Sequence, residues 1–125
     1  MRTAQTATLL VAPILGVIAL VLFEIVRALS DGPFDASSLP PLGMLIGIVC
    51  LSTIPVILLT VLTSRASFWV AFVIVSLLAL FHGMHILEHV MGSDVTMTVL
   101  IFVTMFAPSV IAAARLWKDR GVDST

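Results

Sequence analysis

The fold class this sequence predicts is all-α, an integral membrane four-helix bundle, and three observations predict it. Of 125 residues, 60% are hydrophobic and only 10% charged, with a mean hydropathy of +1.22; in a soluble domain roughly a quarter of the residues are charged. Four apolar windows are each long enough to cross about 30 Å of hydrocarbon at about 1.5 Å per helical residue: Leu9 to Leu29, Leu42 to Leu62, Phe68 to Met91, and Val95 to Leu116. Most of the charges fall between or beyond these windows, so residues 1–125 read as a single transmembrane domain with little mass outside the bilayer.

The first window carries Pro13, Gly16, Glu24 and Arg27. Its apolar stretch runs for about 21 residues, longer than the roughly 7 to 15 of a signal-peptide core, so it is expected to stay as a span. Arg27 lies one turn beyond Glu24, and the pattern leaves open whether the two pair or Glu24 faces the bundle. The connection Ser30 to Pro41 (SDGPFDASSLPP) is rich in turn formers and acids and predicts an external loop.

The second window opens on Gly43-Met-Leu-Ile-Gly47, a spacing that lets two backbones approach closely, either inside the bundle or at a homodimer seam. Pro55 lies in the same window. In a membrane bundle the groups a proline frees are satisfied by neighbours, so Pro13, Pro55 and Pro108 predict kinks rather than breaks. The third window has no proline and is expected to be the straightest. Short links around Thr63 to Ser67 and Gly92 to Asp94 force antiparallel neighbours, so windows two, three and four should pack in order. The fourth window holds Pro108 and a second small-residue pair, Ser109 and Ala113.

The formal net charge of −1 hides an asymmetry. With four crossings, Arg2, Arg65, Arg115, Lys118 and Arg120 fall on one side, and only Arg27 falls on the other, with Asp31, Asp35 and Asp94. The positive-inside rule then predicts an up-down-up-down bundle in a bacterial-type inner membrane, with both termini cytoplasmic and Trp69 and Trp117 at the cytoplasmic boundary. The near-neutral charge gives no overall basic character, so no nucleic-acid partner is expected. The single Cys50 excludes a disulfide within the chain.

The chemistry is concentrated in the third window, in Phe81-His82-Gly-Met-His85-Ile-Leu-Glu88-His89. Ionisable groups are costly in hydrocarbon, so four within eight residues mark a site. At about 100° per residue, His82, His85 and His89 form one stripe, with Glu88 an i, i+3 neighbour of His85. Along the axis His85 and His89 are about 6 Å apart and His82 and His89 about 10.5 Å. The expected metal pair is therefore His85 with His89, with His82 a deeper ligand. Glu24 is at the depth of His85 when both helices are counted back from the external boundary, which makes it the fourth candidate.

Imidazole with carboxylate suits Zn(II) or Fe(II), and imidazole with thioether suits Cu(I); Met44, Met84, Met91 and Met97 fall in the outer half and Met105 near the middle. Haem is a further candidate, although with every histidine on one helix it needs a second copy or a methionine ligand. Proton or ion transfer through the His and Glu groups, and a polar network that fixes packing, stay open as alternatives. The run His85-Ile-Leu-Glu88-His89 resembles the H-x-x-E-H pattern of the inverzincin metalloproteases, whose histidines bind zinc while the glutamate is the general base. That resemblance covers five residues and implies Glu88 as the catalytic base if the site is enzymatic; the further downstream Glu ligand of those enzymes has no counterpart, since no Glu follows Glu88. The run is also similar to the H-x-x-E-E signature of a family of small bacterial membrane proteins, with His89 in place of the last acid.

The expected function is a polytopic inner-membrane protein that binds a transition metal through His85 and His89, with His82 and Glu24 completing the site and Glu88 orienting a ligand. The alternatives are an accessory subunit of a larger membrane complex that uses the histidines for haem, pigment or protons, and a dimeric ion or metal transporter joined through Gly43 and Gly47.

Overall fold

The computed structural model describes residues 2–33, 35, 37, 41–62 and 64–121, and among them there is no strand. The expectations that touch Phe34, Ala36, residues 38–40, Thr63 and the side chain of Arg2 lie outside the described residues. The helices are α1 (Arg2–Leu9), α2 (Val11–Ser30), α3 (Leu42–Ile57), α4 (Arg65–Met91), α5 (Val95–Ile101) and α6 (Ala107–Asp119). Two wider π turns, Leu58–Leu62 and Phe102–Phe106, continue α3 and join α5 to α6. Together they make four rods long and apolar enough to cross a membrane: Ala4–Ser30, Gly43–Leu62, Arg65–Met91 and Val95–Asp119.

The prolines explain where the rods are irregular. A proline ring clashes with the carbonyl four residues back and has no N–H to give it. At Pro13 the helix is interrupted at Leu10, whose N–H turns to the carbonyls of Thr6 (3.2 Å) and Ala7 (3.1 Å). Pro55 is followed within three residues by the first π turn, and Pro108 is preceded by the second, where the N–H of Ala107 reaches back five residues to the Phe102 carbonyl. Ser109 Oγ donates to the Met105 carbonyl, four residues back on its own helix, at 2.7 Å. With no proline, α4 runs without interruption for 27 residues, about 40 Å.

Polar caps mark the ends. Ser64 Oγ accepts the Ser67 N–H at 3.1 Å to start α4, and Asp94 Oδ1 accepts the Met97 N–H at 3.2 Å to start α5. Between them α4 closes with two reversed bonds, Asp94 N–H to the His89 carbonyl (3.0 Å) and Ser93 N–H to the Val90 carbonyl (3.1 Å). This closure needs a left-handed residue, and Ser93 takes that role with φ of 60°, although Gly92 is its neighbour.

Each rod packs against two others. α4 lies against α3 on one side and α5 and α6 on the other, while α2 lies against α3 and the second π turn, and α1 against α6. Windows two, three and four therefore neighbour one another in order, and the first span fills the remaining side between the second and fourth, diagonal to α4. Two apolar clusters form the core. One gathers Ala7, Leu10, Leu59, Ala71, Ala112 and Leu116; the other gathers Val17, Leu20, Met97, Ile101 and Met105.

The closest approaches are at glycines other than Gly43 and Gly47. A Cβ on Gly16 would sit 2.5 Å from Thr104 Oγ1, and one on Gly83 would sit 3.1 Å from a Phe106 ring carbon, whereas Gly43 and Gly47 meet nothing within 4 Å. The expectation that Gly43 and Gly47 pack inside the bundle is corrected: both are exposed. The Ser109 and Ala113 pair does face inward. Large side chains such as Leu15, Leu22, Val61, Leu77 and Leu80 point outward, as lipid contact requires.

The two ends differ in chemistry. At one, Trp69 and Trp117 flank Phe72 at ring distances of 5.8 Å each, and the Arg120 guanidinium stacks 3.6 Å above Trp117. At the other, Arg27 Nη1 pairs with Asp94 Oδ2 at 3.2 Å, joining the end of the first span to the turn before the fourth.

Candidate functional site

α4 supplies the site. Its length without interruption carries His82 about 13 Å and His85 about 9 Å inside the helix end at Met91. His82 is 1% exposed, and among the described residues neither ring nitrogen has a hydrogen-bond partner. Leaving a buried polar group unpaired costs about 1–3 kcal/mol. A buried imidazole with both nitrogens unpaired among the described residues is therefore costly in a helix whose other buried residues are Ser, Ala, Val and Leu.

The ring of His82 borders a cavity of about 60 Å³ to which all four spans contribute. His85, Met44 and Met105 border it too, with His82 supplying the deepest polar group. Val17, Leu20, Leu45, Ile48 and Phe81 give the apolar remainder. A space of this size accommodates an ion or a few waters. Among the described residues the other buried polar orphan is Ser52 Oγ, one helical turn after Ile48 and so below the cavity. It contrasts with Thr53, Thr60, Ser76 and Thr104, whose hydroxyls each donate to a carbonyl on their own helix at 2.7–2.8 Å.

His85 is held from three directions. Its Nδ1 is 3.3 Å from Glu88 Oε2, its ring stacks on Phe81 at 6.3 Å and 10°, and the His89 ring stands edge-on to it at 4.8 Å. A carboxylate on one imidazole nitrogen fixes ring orientation and raises the basicity of the other, the usual arrangement behind a metal-bound histidine. Glu88 itself is mostly exposed, so it sits at the rim of the site rather than inside it.

The sequence-predicted residues are distributed unevenly around this cavity. The structure brings His82 and His85 together on it. His89 touches His85 but lies one turn outward, near the capping turn at Asp94, and does not line the cavity. Glu24 is half-buried, one turn beyond the cavity residue Leu20, with no hydrogen bond or ion pair among the described residues. Arg27 takes Asp94 as its partner rather than Glu24. Among the described residues, no three of His, Cys, Asp and Glu are grouped to hold one ion, so His82, His85, His89 and Glu24 do not converge on a point.

Two features came through weakly in the sequence, the methionines at the cavity and Asp94. Met105, which is buried, and Met44, which is 46% exposed and sits at the edge, border the same cavity as the histidines, whereas Met84 and Met91 are more exposed and Met97 is buried in the core away from it. Helical spacing groups residues on one helix; which residue of another helix comes level with them depends on tilt and rotation. Asp94 is the other: its carboxyl is held below the usual carboxylate range, first by the Met97 N–H and then by Arg27. Comparison of the chain with protein-family models, with curated proteins and with solved structures finds no match.

Proposed function

We propose that this chain is a multi-pass inner-membrane protein that binds a transition metal ion in the cavity bordered by His82 and His85. The observation that carries the reading is His82, whose two buried nitrogens have no partner among the described residues and which shares its cavity with a second imidazole. A metal ion offsets the cost of an unpaired imidazole by bonding to it, and Glu88 then serves as the carboxylate behind His85. His89 and Glu24 stand one turn outward as donors on the approach.

The proposed orientation is up-down-up-down, with both termini in the cytoplasm and the cavity nearer the external face. It is supported by Arg65, Arg115, Lys118 and Arg120 at the aromatic end, where Gln5 and Thr6 share a pocket with Arg115 and Lys118, and by the Arg27 charge at the other end being neutralised by Asp94. In a Cys50→Ser background, a cysteine at Asp35 should react with a membrane-impermeant thiol reagent in intact cells, and one at Asp119 only after lysis. The reverse pattern overturns the orientation.

Protein extracted in mild detergent should retain close to one transition metal ion per chain, and the His82→Ala, His85→Ala double variant should lose it. Equal metal content in the two ends the proposal. A second reading, an accessory subunit of a larger assembly, is favoured by the open Gly43 and Gly47 face, where another helix can approach without a clash. A Soret or pigment band in the purified material supports that reading; a colourless metal-loaded protein counts against it.

A further inference from the structure

We propose that the ion is monovalent copper, Cu(I), held by the two imidazoles of His82 and His85 and the two thioethers of Met44 and Met105. The inference rests on the metal-binding reading above and adds the oxidation state and the sulfur ligands. Three observations carry it.

The first is the donor set. Among the described residues, His82, His85, Met44 and Met105 are those bordering the cavity that offer imidazole or thioether donors, and no carboxylate borders it. Thioether sulfur is a soft donor that selects Cu(I), whereas zinc and ferrous iron favour sites completed by carboxylate, thiolate or further imidazole.

The second is charge. The cost of holding an ion in a medium of low dielectric constant scales with the square of its charge, so a monovalent ion costs about a quarter of a divalent one in the same cavity. All four ligands are neutral, and the remaining wall is aliphatic and aromatic. Glu88 is mostly exposed and does not border the cavity, so it offsets little of a second positive charge there. The acids that a divalent ion would need lie outside.

The third is His82. It is nine-tenths buried and more, unpartnered, and placed on this cavity rather than on a neighbouring helix. A volume-conserving core has no need of an imidazole there. Met105 also packs with Val17 and Leu20 in the core, so its sulfur is held in place by the same contacts that shape the cavity.

The test is competition for Cu(I) against a chromophoric Cu(I) chelator, with Zn(II) and Fe(II) titrated in parallel on the full-length protein in detergent. One Cu(I) per chain is expected, with Met44→Leu, Met105→Leu weakening Cu(I) at least tenfold and leaving any Zn(II) uptake unchanged. Leucine keeps the volume of methionine, so the fold should persist, and far-UV circular dichroism checks that it does. If the double variant does not fold, selenomethionine-substituted wild-type protein serves instead: X-ray absorption at the copper edge should show selenium in the first coordination shell. Zn(II) or Fe(II) retained with no preference for Cu(I) overturns the copper assignment, and copper without a selenium neighbour overturns the thioether ligands; either result overturns the proposed site and leaves the metal-binding reading standing. No metal retained at all overturns both.

Discussion

Replacing Gly16 by alanine is the sharpest test of how the first and fourth spans meet. A Cβ there would lie 2.5 Å from Thr104 Oγ1, 2.8 Å from Thr104 Cβ and 3.0 Å from Met105 Cγ, against 3.4 Å for an ordinary contact. The overlaps with Thr104 are therefore 3.4 − 2.5 = 0.9 Å and 3.4 − 2.8 = 0.6 Å. Thr104 has little freedom to yield, because its hydroxyl donates to the Leu100 carbonyl at 2.7 Å and its β-carbon is fixed to the backbone. Overpacking of this kind costs about 1–3 kcal/mol, a lost hydrogen bond adds about 1 kcal/mol, and the helix-propensity gain of alanine over glycine returns at most about 1 kcal/mol. Gly16→Ala should therefore destabilise by about 1–3 kcal/mol. Gly43→Ala and Gly47→Ala meet nothing, so for them only the propensity gain applies. The assay is equilibrium unfolding in mixed micelles followed by far-UV circular dichroism, with Thr104→Ala added to Gly16→Ala. Removing Oγ1 relieves the larger of the two overlaps and should recover part of the loss. A Gly16→Ala protein as stable as wild type, or equal losses at Gly43 and Gly47, would refute the packing argued here.

Three further substitutions probe the site and the external end. His82→Leu removes two unpaired nitrogens and should raise the stability of chelator-treated protein by about 1–3 kcal/mol, yet forfeit the stabilisation that metal confers on wild type; thermal melts with and without metal should cross over. Ser93→Gly should add about 1 kcal/mol, since glycine adopts the left-handed φ of 60° without the penalty that a side chain carries there. Asp94 has a folded-state pKa below its ordinary value, so its contribution is fully present above the usual carboxylate range and is lost as pH falls through the depressed value. Wild type should accordingly lose stability on the acid side of about pH 4 more steeply than Asp94→Asn, measured as melting temperature against pH.

The four spans were legible because length and hydropathy decide them, and they begin and end within a few residues of where the apolar runs do, apart from the first start. That span begins early because α1 is polar on one face and buries Thr6 and Ala7 on the other, against α6. What the sequence withheld is rotation. In water a helix shows which face is inside by being apolar there and polar elsewhere; in lipid the outer face is as apolar as the core, so that signal disappears. The spacing at Gly43 and Gly47 therefore gave no hint that it faces out, and the equivalent small-residue spacings Ala12 to Gly16 and Ala79 to Gly83 gave none that they face in. Polar residues kept their signal, since hydrocarbon penalises them wherever it touches them. That is why the stripe of His82 and His85 could be read from one helix, and why Met44 and Met105, apolar and on other helices, could not be assigned to it.

The π turn at Phe102–Phe106 makes the fourth span unusually tolerant of one kind of edit. Such a turn is an α-helix with one surplus residue looped into it, so the segments before and after keep the headings they would have without it. Shortening the chain by one position inside the turn would let ordinary helix close across the gap, with Met97 and Leu116 still directed at the neighbours they now touch. The same excision from α4, near Leu77, would swing everything beyond it by about 100° and carry His82 out among the acyl chains. Length variation in this bundle should therefore collect where the fourth span already holds slack and avoid the helix that bears the imidazoles.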